Sequence, residues 1–247
     1  MTADEYREIM ETELAWRQEE YAFFKNQLDN MPDSRRDRYR KGLIMILQEH
    51  LEGYLLICLH TYIQYINGQQ LTGRDVSLRF LAACMQQGSH SGSRQVPSAG
   101  IHKMECGTRF RFSAADDMYG FYRQVDWIEQ AEAFKGQALQ LDDQIVDQIF
   151  GRGYADLQKT LYCLGLPVDL FDAYQKDLDA LASYSSAVAR GIFRSGVTRQ
   201  EMDEWESKAL GAASGVMRLL YEYVNHEKYR IRNDKQQSYY LESQSQI

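Results

Sequence analysis

Three prolines in 247 residues leave little to interrupt long helices, and the 44% hydrophobic content is enough for a sizeable core. Cysteine is also scarce. Cys58, Cys84, Cys106 and Cys163 form no pair at metal-ligand spacing and no disulfide framework, so a reduced, cytoplasmic setting is expected. Basic excess is missing too: 28 Lys and Arg face 35 Asp and Glu, for a net charge of −7, which excludes a general electrostatic grip on nucleic acid and leaves room only for a local one. The opening Met1-Thr2-Ala3-Asp4-Glu5 lacks the basic and apolar parts of a signal, and no apolar run approaches the roughly 20 residues that span a bilayer, so no membrane association is expected. No Walker loop, dinucleotide fingerprint, His-Glu-x-x-His or nucleophile elbow occurs. His90, His102 and Cys106 are too few and too loosely spaced for zinc, so neither metal nor cofactor is expected.

What is present is helical. Residues 1–30 form an N-terminal helix in which Tyr6, Ile9, Met10, Leu14, Trp16, Tyr21 and Phe24 make one apolar stripe. Asn30-Met31-Pro32-Asp33-Ser34 breaks it, with Asp33 or Ser34 as the cap of the next helix. That helix opens on Arg35, Arg36, Arg38, Arg40 and Lys41, either a solvated basic face or a patch for an acidic partner or an RNA backbone. From Leu43 to Ile66 it is apolar nearly all round, which marks the central helix of a bundle. A shorter helix is expected over Arg74 to Met85, and residues 86–125 form a loop-rich insertion. Within that insertion Thr108-Arg109-Phe110-Arg111-Phe112 alternates as a short strand or extended arm would. Gly165 ends a helix over Tyr154 to Leu164 and Pro167 prevents its continuation. Residues 231–247, rich in Ser and Gln, form a flexible tail in which Arg232-Asn233 has no following His.

The stretch Leu178–Glu206 is the most informative. Leu178, Leu181, Ser185 and Val188 recur at helical spacing, Gly191 suits a left-handed stop, and Thr198 with Glu201 has the capping-box spacing of a restarting helix. This helix, loop and capped helix resemble the C-terminal part of HEPN-superfamily proteins, specifically the bacterial HEPN-like nucleases, whose pattern is Leu-x-x-x-Arg-Asn-x-Ile-Ala-His-Gly followed by Val-Thr-x-Glu-Glu-x-x-x-Trp-Glu. Leu181, Val188, Ala189, Gly191, Val197, Thr198, Glu201, Trp205 and Glu206 fit it, Val188 in place of Ile. His50, Glu52 and Gly53 fit that family's Ala-His-x-Glu-Gly-Phe signature, with Glu49 and Tyr54 as departures.

The resemblance implies an all-α, HEPN-like helical bundle in a single domain, here with an N-terminal helical extension and a central insertion. It also implies a role in bacterial defence or toxin-antitoxin systems, as a homodimer or in a complex with a defence-system partner, and contact with RNA or a nucleotide. The catalytic residues are absent. Ser185 stands where the family has Arg, Ser186 where it has Asn, and Arg190 where it has His. Proton transfer to or from a ribose hydroxyl needs a group titrating near neutrality, and a guanidinium stays charged. Arg190 can still grip a phosphate, and Ser186 shares its helix face four residues earlier. The expected binding residues are therefore Arg190, Ser186, Ser185, His50 and Glu52, with no catalytic set. Two alternatives stand beside this: a metal-independent endoribonuclease rebuilt on His50, Glu52 and Arg190, and a structural helical adaptor.

Overall fold

A computed structural model of the chain describes residues 1–88, 129, 132–141, 146 and 153–231. The expected insertion, with Thr108–Phe112, His90, His102 and Cys106, lies outside the described residues apart from its first few positions, and so does the tail beyond Ile231. Within the described residues the helices are α1 (Ala3–Asn26), α2 (Asp33–Gly68), α3 (Leu78–Gly88), α4 (Tyr154–Cys163), α5 (Gln175–Ala189) and α6 (Arg199–Asn225), with short 3-10 turns at Gln27–Asn30 and Asp172–Tyr174. The extended pairing among them is confined to isolated bridges, Thr72 with Ala138 and Val76 with Arg230, so the fold is all-α.

α2 is the axis. Its 36 residues absorb the basic opening and the apolar stretch into one helix, because neither Pro nor a helix-stopping turn intervenes between Pro32 and Gly68. By length and composition α2 is long and apolar enough to cross a membrane, but half of its most apolar window is buried inside the bundle. Its start differs from expectation: neither Asp33 nor Ser34 caps it. Pro32 stands at the cap position without a side-chain bond, and Asp33 is the first helical residue, 2.8 Å from Arg36.

α1 packs antiparallel to α2 through reciprocal tyrosine bonds: the Tyr6 hydroxyl donates to the Cys58 carbonyl and the Tyr54 hydroxyl to the Met10 carbonyl, each at 3.3 Å. Tyr6 and Met10 are wholly buried, so α1 is an integral wall of the core and not an appendage. It starts in a Thr2–Glu5 capping box. α6 runs parallel to α2, with Tyr62 edge-on to Tyr223 at 6.3 Å near one end and Ala209 and Ala213 near Leu47 and Leu51 at the other. Small residues on α6 allow that close approach.

The local stops and starts follow the sequence. Gly165 (φ 70°) and Gly191 (φ 68°) sit in the left-handed region after α4 and α5. Behind them Leu166 N–H reaches the Leu161 carbonyl at 2.9 Å and Ile192 N–H the Ala187 carbonyl at 3.0 Å. Thr198 and Glu201 form the expected capping box on α6. Beyond α6 the chain returns to the core at Tyr229, which is fully buried against Tyr65. The buried thiols of Cys58 and Cys84 are pushed up to about 12 by desolvation, which keeps them protonated.

Candidate functional site

The turn between α5 and α6 meets the first turns of α2, and that meeting builds the site. Lys41 donates from Nζ to the carbonyls of Phe193 and Arg194, at 3.1 and 3.2 Å, and lies 5.6 Å from the Phe193 ring centre. Arg40 donates to the Asp37 carboxylate at 2.6 Å and to the Val197 carbonyl at 3.2 Å. Val197 N–H returns a bond to the Asp37 carbonyl at 3.3 Å. Arg36 donates to the Leu28 and Met31 carbonyls, closing the turn before α2. The basic opening of α2 is therefore split: Arg36, Arg40 and Lys41 are clamps on neighbouring backbone, whereas Arg35 and Arg38 are exposed.

A Lys41→Met variant, which keeps length and removes charge, should lose both carbonyl bonds. We expect about 1–2 kcal/mol of lost stability and faster amide exchange over residues 190–197, with exchange near Tyr62 unchanged; exchange equal to that of the wild type would refute the clamp.

Arg190 occupies the C-cap of α5, where its N–H bonds to the Ser186 carbonyl and its side chain is exposed. A cation is favoured there by the helix dipole. Arg194 and Arg199 are exposed on the same turn. Residues 33–41 hold five cations and two carboxylates, and residues 190–199 hold three cations and no carboxylate, so together they carry +6 in a chain of net −7. Beneath this cationic crown lies an aromatic nest. Tyr184 packs on Phe193 at 4.8 Å and on Trp205 at 5.5 Å, and Lys208 caps the Trp205 ring at 5.1 Å. Burial and the nearby Glu201 carboxylate raise the Tyr184 phenol to about 12, which keeps it a donor at neutral pH. Glu201 itself is held below the usual carboxylate range by its bonds from Thr198. Trp205 thus props the turn, and Glu206, its neighbour in the motif, receives Lys25 from α1 together with Asp203.

Of the five residues expected to bind, Ser185, Ser186 and Arg190 share the end of α5. Ser185 is buried, Ser186 half-buried and Arg190 exposed. Glu52 takes a 2.6 Å bond from Gln48 and lies on the α2 face that also carries Lys41, eleven residues before it. His50 is not on that face. Two residues along a helix is a rotation of about 200°, so His50 and Glu52 look to nearly opposite sides. His50 stacks on Trp16 at 6.2 Å, stands 3.9 Å from Glu20 and lines a cleft with Ala209 and Leu210. Burial, and then Arg17, lower its pKa, while Glu20 opposes the shift. Its carbonyl accepts from Arg17, whose guanidinium comes so close over Gly53 that a Cβ there would lie 2.8 Å away. The His50 and Gly53 of the matched signature thus build the seat of Arg17. Helical period alone separates His50 from Glu52 and is the signal for it; no local signal brings residues 35–41 to residues 190–199.

Among the described residues no three His, Cys, Asp or Glu side chains gather to hold a metal ion. In comparison with known proteins, a family model described as MAE_28990-like HEPN matches residues 6–229. No curated protein and no solved structure matches.

Proposed function

The chain belongs to the MAE_28990-like HEPN family, and from that premise we propose that it is a non-cleaving member whose cationic crown binds RNA or a nucleotide. One observation carries this reading: Arg190, permanently charged and exposed, is followed by the exposed Arg194 and Arg199 with no carboxylate between them, at the position to which the resemblance would assign an imidazole. A phosphate gains bidentate bonds from such guanidinium groups, and without a proton-transfer group it is held and not cleaved. The protein acts in the cytoplasm, in a bacterial defence or toxin-antitoxin system, as a homodimer or bound to a partner protein of that system. Inclusion of α1 in the matched range supports one domain that contains the N-terminal helix.

The rival, a rebuilt ribonuclease using His50, Glu52 and Arg190, requires groups that α2 turns to different sides and an imidazole whose protonation is disfavoured by burial. Incubating the purified protein with total RNA in EDTA separates the readings. We expect RNA retained and intact, with retention weakened in Arg190→Ala and unchanged in His50→Ala. Cleavage that disappears in both variants would overturn the proposal, and a protein that retains no RNA but copurifies with a stable partner would favour the adaptor.

A further inference from the structure

α1 carries two apolar stripes, and the bundle uses one. Tyr6, Met10 and Tyr21 are buried, whereas Ile9, Trp16 and Phe23 are 43%, 50% and 62% exposed. The exposed three are spaced by seven residues. They fall within about 40° of one another on the outer face and extend along roughly 21 Å of helix. Exposed large side chains standing singly are ordinary; three in register at heptad spacing form a ridge of the kind that seats a second helix.

The carboxylates beside the ridge outnumber the cations. Helical geometry sets Glu13 and Glu20 along one flank and Glu5, Glu8 and Glu19 along the other. The three cations of α1 are each engaged within the molecule. Arg17 is held by Glu13 and the His50 carbonyl and lies 5.4 Å from the Trp16 ring centre, Arg7 pairs with Glu11 and covers the Tyr221 ring, and Lys25 is held by Asp203 and Glu206. A second copy of α1 laid on this ridge would set carboxylates against carboxylates, which disfavours self-pairing. Trp16, half exposed and braced from behind by the His50 ring at 6.2 Å, is the preorganised anchor of the face.

We infer that this face docks an amphipathic helix of another protein, about 20 residues long, apolar at seven-residue spacing and flanked by Lys and Arg. The inference does not rest on RNA binding, since none of these residues belongs to the crown.

The test uses the full chain and three fluorescein-labelled peptides of about 21 residues, the length that matches the ridge: a helix with Leu on one face and Lys flanks, its counterpart with Glu for every Lys, and a scramble of the first with the same composition. Fluorescence anisotropy should show saturable binding of the first peptide at least about tenfold tighter than of the other two, weakening as salt is raised. The Trp16→Ala/Phe23→Ala variant, whose removed side chains are exposed, should keep its circular dichroism and lose at least about tenfold in affinity. Equal binding of the scramble, no loss in the double variant, or absence of saturable binding would overturn the inference. So would sedimentation showing that the wild type self-associates and the double variant does not, which would make a second copy the occupant.

Discussion

Replacing Arg190, Arg194 and Arg199 together with alanine should lower affinity for single-stranded RNA about a hundredfold at roughly 0.1 M salt and reduce the slope of log affinity against log salt by about two. Each phosphate neutralised on a single strand releases counterions worth roughly 0.7 in that slope, so three contacts give about two, and the same arithmetic gives about two decades at roughly 0.1 M. Folding should be untouched. All three side chains are exposed, and the one ion pair among them, Arg199 with Asp203 at 3.8 Å, is 85% exposed on the arginine side, where such pairs contribute little. Arg218→Ala is the control, because it removes an exposed cation from the later part of α6, well along the helix from the crown. Filter binding across a salt series measures both quantities. A triple variant that binds as tightly as the wild type, with the same salt slope, would remove the crown as the RNA site even if the protein still retained RNA.

Gly165→Ala should be among the most damaging single methyl additions in this chain, at about 2–4 kcal/mol. Two costs combine there. A left-handed φ of 70° strains any residue with a Cβ by about 1–2 kcal/mol, and the added methyl would lie 2.7 Å from the Phe80 Cα, a backbone atom that cannot rotate away. Gly191 supplies the comparison, with φ 68° and no atom within 4 Å of the position its methyl group would take. Gly191→Ala should therefore cost only the conformational part, about 1–2 kcal/mol. Thermal unfolding should place Gly165→Ala lower by roughly 5–15 °C than the wild type, and Gly191→Ala between the two. If both variants melt together, the packing of α3 against the turn after α4 is not as close as the geometry requires.

The two glycines also show how much of the fold is legible in the sequence. Both helix stops, the Thr198–Glu201 cap and the apolar length of α2 are local matters of backbone conformation and periodicity, and the observed helices follow them. Local reasoning goes astray where a residue has two uses. The basic opening of α2 reads as a surface, yet three of its cations end on backbone carbonyls, some supplied by residues as distant as Phe193 and Val197. The apolar residues of α1 read as one stripe, and the structure divides them between a buried face and an exposed ridge. The heptad spacing of Ile9, Trp16 and Phe23, offset from Tyr6, Met10 and Tyr21, is the signal available for that division.

By itself the sequence determined that this chain is helical, where most of its helices stop and restart, and that a permanently charged guanidinium, Arg190, stands at the end of α5. Those properties depend on neighbours within a few residues and on the fixed charge of arginine. Only the tertiary structure decided that the start of α2 and the turn after α5 share one cationic surface, and that His50 belongs to a different cleft. Contacts across more than 150 residues of chain arise from how whole helices pack, and nothing in the local pattern encodes which ends will meet.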